Sequence, residues 1–210
     1  MTILLYHITS LSNLSTLLQC GELLSKNRLQ RSQTQYASIA YEHIQHRRAS
    51  ITIPYEPGGN LHDYVPFYFA ARSPMLFAIH KGSVQGYGEG QQSILHLVTS
   101  TEAIADAALD FVFSDGHAVV SYTNFYNDLA LLPDVIDWDI MRAKVWRDTH
   151  EDGDRKRRRQ AEFLVYQSVP WSLIRGIGVY SKTIADQVTQ TLKNYGQTTD
   201  VRTLPTDYYY

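Results

Sequence analysis

The chain has one cysteine in 210 residues, Cys20. A single thiol cannot close an internal disulfide, and no Cys/His cluster has the spacing of a zinc site, so no metal is expected. No apolar run approaches the ~20 residues of a membrane span. The opening Met1-Thr-Ile-Leu-Leu-Tyr-His turns polar too soon for a secretory signal. Together these features fit a reducing cytoplasm and no membrane partner. Cys20 lies in a leucine-rich run and is expected as a small, buried, inert side chain. Basic residues are not in excess: 19 Lys and Arg face 21 Asp and Glu, a net charge of -2. That balance argues mildly against a nucleic-acid binder. The glycines from Gly82 to Gly90 lack the strand–turn–helix context of a dinucleotide fingerprint. There is no repeat and no Ser/Pro-rich linker, so residues 1–210 are expected to form a single domain, by default a monomer.

The hydrophobic fraction of 44% belongs to a soluble, packed domain. Fifteen tyrosines offer flat surface with a polar tip; they suit base-binding sites and half-buried strand positions equally. Strands are expected at Ile3–Ile8, Tyr64–Ala70, Met75–Ile79, Ile94–Thr99, Ala161–Gln167, Gly178–Tyr180 and Val201–Leu204. Phe111–Phe113 and Ala118–Ser121 should bracket a turn at Ser114–His117. Helices are expected at Leu14–Gln19, stopped by Gly21, and at Ile39–Ser50, Glu102–Ala108, Asn124–Leu132, Trp138–Trp146 and Ile184–Asn194. Ser25–Tyr36 reads as a loop. The pattern is α+β, with helices among antiparallel strands.

Two features carry chemistry. Glu162 follows a basic run and opens an apolar strand, where it is either a fixed carboxylate or a surface partner of Arg158 or Arg159. Arg47 and Arg48 end a helix, and one of them can be functional while the other is solvated. Arg155, Lys156, Arg157, Arg158 and Arg159 form the densest basic cluster, which can neutralise phosphates without reading sequence. Trp138 and Trp146 fall on a helix period and are expected in the core.

Several stretches resemble the DarT family, the DNA ADP-ribosyltransferase toxins of the DarTG toxin–antitoxin system. They are Leu5-Tyr-His-Ile-Thr9, Ala40-Tyr-Glu-His-Ile-Gln-His-Arg-Arg48, Gly58-Gly-Asn-Leu-His-Asp-Tyr-Val-Pro-Phe-Tyr-Phe69, Arg72-Ser-Pro-Met-Leu76, Phe113-Ser-Asp-Gly-His117 and Arg159-Gln-Ala-Glu-Phe-Leu-Val165. They occur in the family's order and span nearly the whole chain. The resemblance implies the ADP-ribosyltransferase fold, a split antiparallel β-sandwich with flanking helices and NAD in the cleft. It implies NAD as co-substrate and a base in single-stranded DNA as acceptor, with thymine favoured over guanine. It also implies a macrodomain antitoxin (DarG) that reverses the modification.

The same resemblance assigns residues. Glu162 matches the catalytic glutamate, whose carboxylate would stabilise the cationic ribose as nicotinamide leaves. Arg48 matches the second essential residue, able to hold a phosphate or poise the base. His7, Ile8 and Thr9 should meet the nicotinamide side of NAD, Tyr68 its ring and Ser73 its amide. Ser25–Arg48 resembles an element that closes over NAD. Met75 should line the cleft near the target base, and His117 belongs to a segment resembling the substrate-recognition loop. Arg155, Arg157 and Arg158 are assigned to DNA phosphates on the charge of their cluster, with a solvated loop as the alternative. Other acceptors (guanine, RNA, protein) remain alternatives, as do an NAD glycohydrolase and a catalytically silent binding module.

Overall fold

The computed structural model describes residues 2–210, so Met1, the first residue of the expected domain, lies outside it. In chain order the elements are β1 (Leu4–Ser10), α1 (Leu14–Cys20), β2 (Glu22–Leu24), α2 (Lys26–Arg31), α3 (Glu42–Ser50), β3 (Tyr64–Tyr68) and α4 (Pro74–His80). Next come β4 (Ile94–Ser100), α5 (Thr101–Asp106), β5 (Phe111–His117), β6 (Phe125–Tyr126), α6 (Leu132–Val135), α7 (Trp138–Arg142) and α8 (Arg155–Arg158). The chain ends with β7 (Ala161–Tyr166), β8 (Ser168–Pro170), β9 (Gly176–Val179), α9 (Lys182–Asn194), β10 (Asp200–Thr203) and α10 (Pro205–Tyr208).

Eight strands run in the order β10-β9-β4-β1-β3-β7-β5-β6, and β2 pairs with β8 apart from them. At its centre this sheet nearly divides. β1 pairs with β4 from Leu4↔Ser100 to Ser10↔Ile94, but meets β3 only at Tyr6↔Tyr68. The two halves are antiparallel except for the parallel β9–β10 pair. This is the split α+β arrangement that the resemblance implies.

Side-chain alternation explains why the halves hold together and where the polar residues go. On β7, Ala161, Phe163 and Val165 point into the main core, while Glu162 and Leu164 take the opposite face. On β3, Val65 and Phe67, with Phe69 just beyond it, join the same core, leaving Tyr64, Pro66 and Tyr68 on the face of Glu162. The amphipathic α9 covers the β9 half with Val188 and Leu192. From α1, Leu14 and Leu18 pack one turn apart into that core. Each such side chain contributes roughly 1.5–3 kcal/mol by burial. Gly21 ends α1 in the left-handed conformation, its N–H bonded to Leu17 O.

Several expectations are corrected. Met75–Ile79 is helical, not a strand: Ser73 Oγ caps the Leu76 N–H at 3.1 Å and Pro74 occupies the first turn. Ser25–Tyr36 is not all loop, because Ser25 caps α2 by accepting from Arg28 N. The Ser114–His117 turn is the end of β5, with a register irregularity between Phe113 and His117. Ser114 Oγ donates to Gly116 O there, which lets the strand continue through an Asp-Gly pair. Asn124–Leu132 holds β6 and a 3-10 turn rather than one helix. α7 stops at Arg142, short of Trp146, because the Arg159 guanidinium takes the carbonyls of Ile140 and Met141. Cys20 is exposed: two residues past Leu18, it faces about 200° around the helix from the buried stripe.

Candidate active site

Where β1 and β3 part, a cleft of about 1220 Å³ opens. Its floor comes from His7, Ile8 and Thr9 on β1 and from Tyr68 and Glu162 on the facing strands. Arg48, Met75 and His117 complete the wall around Glu162. Ser73, Arg155, Arg157 and Arg158 do not line it.

Glu162 and Arg48 form the centre. Glu162 is 3% exposed and Arg48 8%. Arg48 Nη1 donates to both carboxylate oxygens, at 3.0 and 2.8 Å. Its Nη2 is buried without a partner among the described residues. A buried guanidinium nitrogen left unpaired costs free energy unless a ligand completes it. The phase on α3 is thereby fixed: Arg48 turns inward, whereas Arg47 Nη2 bonds Val119 O at 2.8 Å.

The backbone of Glu162 is held from an unexpected quarter. Its N–H donates to Ser114 Oγ at 3.1 Å, and Ser114 is fully buried. The β5 irregularity therefore fixes the height of Glu162 in the cleft. Tyr68 lies directly across from Glu162 in the β3–β7 register, so the two side chains share a face. Its hydroxyl contacts Met75 Sδ at 3.7 Å. Burial and the Glu162 charge both raise the Tyr68 pKa, keeping the phenol protonated.

His7 Nδ1 lies 2.8 Å from Pro66 O. A carbonyl only accepts, so Nδ1 carries the proton. Burial lowers the pKa of His7, leaving Nε2 as an acceptor in the neutral ring. Burial also lowers His117, against the opposing pull of Glu162. Thr9 Oγ1 accepts from Asn13 Nδ2 at 3.0 Å. Asn13 in turn exchanges two hydrogen bonds with Ala37, at 2.9 and 2.7 Å. One buried asparagine thus ties the segment between α2 and α3 to the end of β1. Asp63 is structural: it takes the Asn60 N–H and the Asn27 amide. Ser73 is spent on capping α4.

The charged run divides in two. Arg157 donates to Asp115 at 2.8 Å and to Asp154 at 2.7 Å. A Cβ on Gly116 would collide with that guanidinium. Arg158 pairs with Asp137 and Asp152. These two arginines staple the loop instead of offering charge to a polyanion. Arg155 Nη2 bonds Val145 O at 3.0 Å, bracing residues 144–147. Six cations do line the cleft, Lys26, Arg48, Lys81, Lys144, Arg147 and Lys156, against Glu22, Asp148 and Glu162. The cleft is locally positive on a chain of net charge -2. Arg157→Ala is expected to lower stability by roughly 2 kcal/mol, because it takes the guanidinium from part-buried Asp115 and leaves Asp154 only its longer contact with Arg158. A thermal melt reads this. The salt dependence of any DNA reaction should be unchanged by Arg157→Ala but reduced by Lys156→Ala.

Sequence reading missed Asn13, Ser114, Lys144 and Arg147. Trp146 lies beyond the end of α7 but still packs against the main core, and it also lines the cleft; it sits edge-on to Phe77 at 5.7 Å and donates to Tyr210 OH at 3.2 Å. Trp138 likewise packs beside the core, edge-on to Phe69. No group of three or more metal-ligating side chains occurs among the described residues. No helix among them is long and apolar enough to cross a membrane.

Comparison with known proteins adds the following. A family model described as DarT, ssDNA thymidine ADP-ribosyltransferase, matches residues 6–210. The DNA ADP-ribosyl transferase of Thermus sp. strain 2.9 is 45% identical over 207 residues, covering 98% of this chain and 95% of that protein. The structure of Thermus sp. 2.9 DarT in complex with ADP-ribosylated ssDNA superposes with a TM-score of 0.92 at 43% identity, over 99% of this chain and 96% of that one. The same protein in complex with NAD+ gives 0.88 at 40% identity, over 99% and 98%.

Proposed function

This chain belongs to the DarT family of single-stranded-DNA thymidine ADP-ribosyltransferases, and from that premise we propose how its own residues perform the transfer. The observation that carries the reading is the buried Arg48–Glu162 pair at the cleft floor, with one Arg48 nitrogen unpaired.

NAD lies in the cleft. The unpaired Arg48 Nη2 takes a phosphate or ribose oxygen. Tyr68 stacks on the nicotinamide ring, and the His7 Nε2 acceptor together with the backbone of Ile8 and Thr9 meets its carboxamide. The other cleft cations hold the pyrophosphate and the DNA backbone, a part for which Lys144, Arg147 and Lys156 are better placed than Arg157 and Arg158. The Asn13–Ala37 tie sets the entry of the segment that covers NAD.

The reaction breaks the bond from nicotinamide to ribose C1′, and nicotinamide leaves with that electron pair. Positive charge grows on the ribose, and the Glu162 carboxylate stabilises it while accepting from the 2′-hydroxyl. In thymidine N1 already bears the sugar, so N3 is the ring nitrogen left to attack C1′. The N3 proton passes to Glu162 or to the neutral His117. A paired, stacked thymine cannot expose N3, which explains the need for a single strand.

Because His117 is held below the ordinary histidine pKa, its neutral form prevails at pH 7. The transfer rate should be flat from pH 7 upwards and fall only below about pH 6.5, the unshifted value. His117→Gln should remove that acid limb; an unaltered limb assigns it to another group. A macrodomain protein that hydrolyses the new bond, and action as a toxin that it relieves, complete the proposal. Offering an oligonucleotide whose sole thymine is N3-methylated tests the acceptor atom. The expected result is no adduct; an adduct of unchanged yield would move the attack away from N3.

A further inference from the structure

Resting on that reading, we infer that a second pocket beside the cleft holds a nucleotide that neighbours the modified thymidine in the same strand. The pocket, about 400 Å³, begins where β3 ends and is closed by α7 and by the chain's last residues. It shares Lys144, Trp146 and Tyr210 with the NAD cleft. One thin wall therefore separates the two, and a strand that presents a base to the cleft must cross it.

The lining has the chemistry of a nucleotide site. Arg72, Arg142, Lys144 and Arg159 face a single acid, Asp207. Lys144 makes no ion pair among the described residues, and the Arg142 pair with Asp139 is exposed. Charge is thus available for a phosphate at the rim. Tyr6, Trp138 and Tyr208 supply aromatic surface within, on which any base can stack. The volume falls in the range of small-ligand pockets, roughly 300–1,000 Å³.

The pocket is built, not left over from loose packing. Arg159 is 4% exposed. Its guanidinium binds the carbonyls of Ile140 and Met141 and, at 2.8 Å, that of Arg72, while its Nε stays unpaired among the described residues. Tyr210 OH donates to Arg72 O at 3.0 Å, and Arg72 Nε to Tyr209 O at 2.7 Å. Gly178 leaves the space in which the Tyr208 ring sits, since a Cβ there would overlap it. Five backbone and side-chain anchors for one small hollow fix its shape in advance, which favours a specific occupant over a passing one.

The test uses single-stranded oligonucleotides with one target thymidine and an abasic site stepped through the flanking positions. At one position, loss of the base should lower kcat/KM for adduct formation about tenfold, the effect of removing one stacked base. Two variants examine the pocket from exposed residues outside the cleft: Arg142→Glu removes a lining cation, and Thr206→Trp fills the mouth. In both, the intact oligonucleotide should react about as slowly as the abasic one, and the abasic penalty should vanish. The rise in melting temperature on adding NAD should match that of the unaltered protein. Equal abasic penalties in all three proteins would overturn the pocket assignment and leave the transferase reading standing. No adduct on any strand, with NAD binding intact, would overturn the transferase reading itself, and the inference with it.

Discussion

Glu162→Gln should lower ADP-ribose transfer by about a hundred- to a thousandfold, with little loss of NAD affinity. The substitution keeps the shape and one oxygen for Arg48, but removes the negative charge. In a buried site a single misplaced donor or charge at the reacting centre costs about 10²–10³ in rate. Here the lost charge is the one nearest the developing ribose cation, on a residue only 3% exposed. Single-turnover rates separate this from a binding defect: kcat should collapse while KM for NAD moves little. A loss shared equally between kcat and KM would instead make Glu162 a binding residue.

Arg48 should divide into two effects that differ between two substitutions. Arg48→Ala leaves Glu162 buried without its partner, a change that costs roughly 3–5 kcal/mol in such settings. For a domain of this size that is a fall in Tm of about 10 °C. Arg48→Lys restores a cation for Glu162 but has no second nitrogen to replace the unpaired Nη2. It should recover most of the Tm and little of the activity. If Lys recovered both, Arg48 would serve only to neutralise Glu162, and the proposed contact of Nη2 with NAD would be wrong.

How much of this was written in the sequence depends on the range of the interaction. Local patterning identified β3 and β7 as strands, but not that they pair or that Tyr68 and Glu162 come to share a face, because register between strands far apart in the chain is set by the fold. Leu14 and Leu18, one helical turn apart, and the Gly21 stop marked α1 through equally local signals. The run Met75–Ile79 failed because a short apolar stretch fits a strand as well as a buried helix; the Ser73-Pro74 cap was the signal to read. The charged run failed for another reason. Arg157 and Asp115 are 42 residues apart, so nothing local says that the cluster is neutralised from across the fold. Arg48 and Glu162 are 114 apart. Their association was legible only through family resemblance, never through spacing. Ser114 and Asn13 carried no signal beyond being small and polar, yet each positions a part of the site through one buried side chain.

The central claim is that the Arg48–Glu162 cleft joins ADP-ribose from NAD to thymine in unpaired DNA. The most direct measurement incubates the protein with NAD and a thymidine-containing oligonucleotide as a single strand, as a duplex and as its RNA counterpart, and weighs the products by mass spectrometry. One ADP-ribose added to the DNA single strand, localised to thymine by fragmentation and absent with Glu162→Gln, is the predicted result. Consumption of NAD to free ADP-ribose with every strand unmodified would contradict it.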